Sequence, residues 1–102
     1  MAAERLFAGV PVRLGVSDPW EFETQAGTGS LCGRVRAIEV DAVVIDLDVP
    51  VSYGGASFDV AHARARYQGE HAADAGEREV VCNVELHGAG RPVRLIATLR
   101  RG

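Results

Sequence analysis

Arg34 and Arg36, and again Arg64 and Arg66, are arginines two positions apart in segments whose apolar residues alternate. Residues i and i+2 of a β-strand share a face, so each pair presents two guanidiniums on one side. His62 extends the second pair, and Arg13 has the same outward parity in an earlier segment. If these segments are neighbours, a basic stripe crosses the sheet and could grip RNA phosphates or an acidic protein surface. The competing arrangement is charge pairing within the sheet, with Asp46, Asp48, Glu79 and Glu85 opposite the arginines. Acidic residues outnumber basic ones by 14 to 11, for a net charge of −3, which favours pairing. All the basic residues are arginine, a bias matching the abundance of Ala, Gly and Val and pointing to a GC-rich bacterial genome.

Other chemistries find less support. The cysteines Cys32 and Cys82 lie far apart, without the spacing of a zinc or redox motif, and are expected as free thiols. Cys82 shares the parity of Val80 and Val84 and reads as a small buried hydrophobe. Cys32 shares the parity of Arg34 and Arg36, and no catalytic signature surrounds it. His62, His71 and His87 fall in different segments and form no compact ligand cluster, so no metal and no cofactor are expected. Asp46 and Asp48, about 7 Å apart on one strand face, could hold a cation or do acid–base work, but acids so placed more commonly keep a sheet face soluble. "GTG" lacks the Lys–Ser/Thr of a phosphate loop.

The one tryptophan stands in "SDPWEFETQAGTGS", residues 17–30. Asp18 as N-cap, Pro19 as first helical residue and Glu21 at the third position make a capping box, predicting a short helical turn near residues 18–24. Such a turn would hold Trp20 in a fixed direction. It would then plug the end of a core, or anchor a partner with Glu21 and Glu23 on its rim.

The elements that must position these groups follow from period-2 alternation. "GVPVRLGV" turns Val10, Val12, Leu14 and Val16 to one side, and Pro11 marks an edge strand or a strand start. "LCGRVRAIEVDAVVIDLDVPV" reads as two strands around a turn near Asp41 and Ala42. Leu31, Gly33, Val35 and Ala37 face inward, with a bulge near Ala37. On the second strand Val43, Ile45, Leu47, Val49 and Val51 face in, and Val44, Asp46 and Asp48 face out. "YGGASF" is a turn. "FDVAHARARYQ" alternates as a strand with Ala61, Ala63, Ala65 and Tyr67 inward, although its alanines and arginines also suit a helix. Residues 69–78 read as a polar loop. "EVVCNVEL" and "RPVRLIATLR" are two further strands, with Val80, Cys82, Val84, Leu86, Val93, Leu95, Ala97 and Leu99 facing in.

About six strands with frequent turn signals predict an all-β fold, a small antiparallel barrel or sandwich in one domain. The order of segments over residues 8–68, with a long acidic loop after the first strand and then a glycine-entered hairpin, resembles SH3-like small barrels. That resemblance implies architecture alone. "MAAERLFAGV" lacks the apolar core of a signal peptide, and no apolar run approaches the roughly 20 residues that span a membrane, so a cytoplasmic location is expected. The expected function is a non-catalytic module that binds another protein. Its profile is similar to that of bacterial inhibitors and toxin-immunity proteins, which are small, mildly acidic and free of catalytic residues. The candidate binding residues are Trp20, Glu21, Glu23, Arg34, Arg36, His62, Arg64 and Arg66. A nucleic-acid-binding barrel using the four paired arginines is the second reading. A small enzyme or ligand-binding barrel, which would need a pocket lined by Cys32, His62 or Asp46, is the third.

Overall fold

A computed structural model describes residues 5–17 and 30–102. Trp20, Glu21, Glu23 and the expected helical turn near residues 18–24 lie outside them.

The protein is all-β. Six antiparallel strands, β1 (Pro11–Val16), β2 (Ser30–Ile38), β3 (Val43–Tyr53), β4 (Ala56–Ala65), β5 (Val80–Gly88) and β6 (Val93–Arg101), each pair with their chain neighbours. The ladder from Val12↔Arg101 to Val16↔Ala97 then joins the first strand to the last, and the sheet closes into a barrel. The segment at residues 57–67 is strand through Ala65, which settles the choice between strand and helix. Pro11 is a strand start and not an edge marker: β1 has a partner on each side, and the Pro11 carbonyl accepts from the Gly102 N–H at 3.0 Å.

Alternation fills the interior. Val12, Leu14, Leu31, Val35, Ile45, Phe58, Val84, Leu86 and Leu99 are all buried, with Ala61, Ala63 and Ala97 between them. Among the described residues no polar or charged residue is buried, so the core is held by apolar packing alone. Small residues matter where strands approach closely. A Cβ on Gly33 would run into the Asp46 carbonyl and the Ile45 side chain, and one on Gly88 into the Ser57 carbonyl. Gly54 and Gly55, with φ of +57° and +79°, turn β3 into β4 in two residues, the left-handed backbone that such hairpins need.

Three register shifts bend the sheet, one of them between Phe58 and Val60 where β4 meets β5. The β2–β3 register shifts between Val35 and Ala37, placing the expected bulge at Arg36. The β3–β4 register shifts between Asp46 and Val51, so that residues 47–50 of β3 stand against Asp59 alone. The β3–β4 shift overturns one expectation: Val49, expected inside, is 46% exposed because the strand arches away there. Val44, expected outside, lies before the shift and is not part of the core cluster, yet it is buried, flanked in its ladder by Ala37 and His62. Tyr67, also expected inside, lies beyond the end of β4 and is exposed.

The polar loop expected at residues 69–78 holds a 3-10 turn, Ala72–Gly76, with Ala72, Ala73 and Ala75 in the core. His71 caps it. Its Nδ1 accepts from the Ala73 N–H at 3.0 Å, and its own N–H donates to Asp74 at 3.0 Å. Its Nε2 then donates to the Glu39 carbonyl at 2.9 Å, in the turn between β2 and β3. The Ala73 carbonyl accepts from the Leu6 N–H at 2.8 Å, and Leu6 is buried in the same core. This turn and Leu6 close one end of the barrel.

Cys82 is fully buried, and burial pushes its thiol up to about 12, with a smaller push from the Glu70 charge; Cys32 is exposed. A thiol reagent is expected to label Cys32 in the native protein and Cys82 only on unfolding; equal labelling rates would contradict this. The raised value also sets a sign for pH. Above pH 9 the unfolded chain releases the Cys82 proton while the native chain keeps it to about pH 12, so stability falls across that window. Cys82→Val should flatten that fall, measured as melting temperature against pH. Gly33→Ala should lower stability by about 1–3 kcal/mol, the usual cost of overpacking, measured by urea unfolding.

Candidate functional site

With the interior filled by side chains, recognition must use the outer surface. The outward positions of β4, β5 and β6 come together in two rows fixed by register. His62 lies opposite Glu85, and Glu85 opposite Arg94; one step along, Arg64 lies opposite Asn83, and Asn83 opposite Ile96. A groove of about 600 Å³ runs over these rows, with Ala65, Val84, Leu95 and Ile96 as its apolar part. Ile96 is 38% exposed, a β-branched side chain open to solvent in the middle of a charged face.

Glu85 organises the first row. Its carboxylate accepts from His87 Nε2 at 2.8 Å through one oxygen and meets Arg94 Nε at 3.4 Å through the other. The His87 ring packs on the His62 ring with centroids 4.4 Å apart and planes tilted by 51°. The second row is looser. Arg64 Nε meets Asp41 at 3.2 Å, and an Arg66 guanidinium N–H donates to the Asn83 side-chain carbonyl at 3.3 Å. Each arginine therefore keeps further N–H donors pointing outward, because a guanidinium carries five. The groove can offer ion pairs, amide hydrogen bonds and a small apolar contact at once.

Of the residues singled out in the sequence, His62, Arg64 and Arg66 converge on this face. Arg34 and Arg36 do not join them, because β3 stands between β2 and β4. Arg36 pairs with Asp46, whose hydrogen bond and then its charge raise the guanidinium further above its usual value. Arg34 donates to the Gly9 carbonyl at 3.2 Å. The continuous basic stripe is replaced by separate arginines, with Asp46 and Asp41 between the two pairs. Arg13 lies on the far side of the barrel, opposite Cys32 and Arg100.

His87, Glu85, Asn83 and Arg94 were not singled out as a group by the sequence. The signal was present: residues 83, 85 and 87 have outward parity beside the buried Cys82, Val84 and Leu86. What was missing was the β4–β5 register, which sets His87 opposite Val60 and so diagonal to His62. Among the described residues, no three of His, Cys, Asp and Glu are arranged to hold a metal. Neither cysteine lines the groove with the two tilted imidazoles, Cys32 being on β2 and Cys82 inside the core.

Arg64→Gln and Arg94→Gln should each move the melting temperature by less than about 4 °C, since exposed ion pairs contribute little. A larger drop by calorimetry would show that the pairs hold the barrel together and do not simply dress its surface.

Compared with protein families, curated proteins and solved structures, the chain matches none.

Proposed function

We propose that this protein is a non-catalytic binding module that docks another protein on the outer face of β4, β5 and β6. The observation that carries the reading is the two-row groove of His62, Glu85, Arg94, Arg64, Asn83 and Ile96 on a barrel whose own interior is filled. Arginine beside an exposed aliphatic residue is the composition from which interface hot spots are built, with the guanidinium giving directional contacts and the apolar side chain excluding water. Carboxylates beside the arginines weaken the case for a polyanion, because each Asp or Glu repels phosphate as strongly as its partner attracts it.

Within this reading the protein acts as an inhibitor or neutralising partner of a toxin or enzyme, in the manner of a bacterial immunity protein. Small size and mild acidity support that role. The six-strand antiparallel barrel is compatible with the SH3-like layout expected from the order of segments, a resemblance of architecture alone.

A tagged form of the full chain, retained from a bacterial lysate with and without nuclease, tests the proposal. The expected result is one stoichiometric protein that survives nuclease and high salt and is lost with Arg64→Glu or Arg94→Glu. Recovery of RNA or DNA that salt removes would overturn the proposal in favour of nucleic-acid binding. A retained protein unaffected by either charge reversal would move the docking surface elsewhere.

A further inference from the structure

Around the barrel from β6 onto β1 and β2, the surface carries a different chemistry. Arg13 on β1 and Arg100 on β6 are direct partners in their ladder. One outward step along, Thr98 lies opposite Gly15, and Gly15 lies opposite Ser30 on β2. Gly15 projects no side chain, so a cleft of about 400 Å³ opens there, bordered by Arg13, Arg100, Thr98, Ser30 and Glu79.

Like charges directly opposite on a sheet face repel and destabilise the pair. Several outward arginines have a close carboxylate, Arg36 with Asp46, Arg64 with Asp41 and Arg94 with Glu85, and Arg34 and Arg66 bond to a carbonyl and an amide instead. Here two arginines share a single carboxylate: Glu79 meets Arg100 at 3.9 Å, and no ion pair is formed by Arg13 among the described residues. Two guanidinium forks side by side, next to a gap edged by a threonine hydroxyl, form a charged donor set with more donors than its one carboxylate can satisfy.

We infer that this cleft binds the phosphate group of a small molecule, either inorganic phosphate or a phosphate monoester. Arg13 and Arg100 donate to two of its oxygens, and the Thr98 hydroxyl donates to a third. A phosphate offers three terminal oxygens to these three groups, whereas a carboxylate leaves one donor unmatched. Glu79 on the rim repels a second phosphate, so a single phosphate group suits the cleft better than a polynucleotide backbone. The cleft adjoins the groove along β6, where Thr98 follows Ile96 on the outward face, but no residue lines both, and the inference does not rest on that groove binding a protein.

The test is thermal melting and calorimetric titration of the full chain with inorganic phosphate and with a phosphate monoester, at constant ionic strength against chloride. The expected result is a rise of several degrees in millimolar phosphate, absent in chloride, because a ligand that binds the native state stabilises it by mass action. Arg13→Gln and Arg100→Gln should each abolish the rise. In chloride both should melt no lower than the parent, since each removes a repulsion; this keeps loss of binding distinct from loss of fold. Arg64→Gln should retain the rise. An equal rise in chloride, or a rise that survives both Gln substitutions, would overturn the assignment. So would an oligonucleotide that binds at these arginines more tightly than the monoester.

Discussion

The ladder between β1 and β6 joins the first strand of the chain to the last, and every position on the outer surface depends on it. It is the longest-range pairing in the molecule, so its loop-closure entropy must be met by contacts that form only when the remaining strands are in place. Those contacts are apolar. Leu14 and Leu99 are register partners across the closing seam, both fully buried, and Val80 lies opposite Leu99 on the next strand. A slip of one residue in this ladder would turn Val12 and Leu14 to solvent and bring Arg13 inside. Register at the seam and the composition of the core are therefore one constraint.

Closure also limits volume. Six strands enclose a narrow interior, and the chain meets this by alternating large and small residues: Phe58, Leu86 and Ile45 beside Ala61, Ala63 and Ala97. Where even alanine is too large, glycine stands, as at Gly33 against Asp46 and Gly88 against Ser57. At one end the 3-10 turn inserts three alanines in place of bulkier side chains. Its position is fixed by a single imidazole that hydrogen bonds to the turn on one side and to the β2–β3 connection on the other. That geometry requires the neutral ring with its proton on Nε2, since Nδ1 is accepting.

Much of this was legible in the alternation of single residues. Val12, Leu14, Val43, Ile45, Val80, Cys82, Val84 and Leu86 could be assigned to the core by parity alone, and the bulge beside Ala37 by its failure to continue. Parity does not say which strand lies beside which. Arg34 and Arg64 share outward parity, yet a third strand bearing Asp46 separates them; His62 and His87 share it too, and they are in contact. Val49 was misplaced because the arch at residues 47–50 breaks the period that the assignment relied on, whereas Val44 is outside the core cluster and is covered by its neighbours on the sheet. The alanines of the 3-10 turn carry no periodic signal, being too few for one, and their burial follows from the shape of the barrel end. Asp18, Trp20 and their neighbours lie outside the described residues, so the capping pattern there remains a reading of sequence.

Closure gives every described strand a neighbour on both sides, so no whole strand is left to accept another by main-chain addition, and open backbone is confined to stretches such as β3 beyond Leu47, which has no register partner on β2. Over the fully paired faces, recognition is read by side chains standing on the barrel, not by shared backbone hydrogen bonds. The residues that would do so, such as Arg64, Arg94 and Arg13, belong to the half of each strand that contributes nothing to the core. Exchanging them redirects affinity at little cost to the fold, which makes the barrel a frame on which new specificities can be written one outward residue at a time.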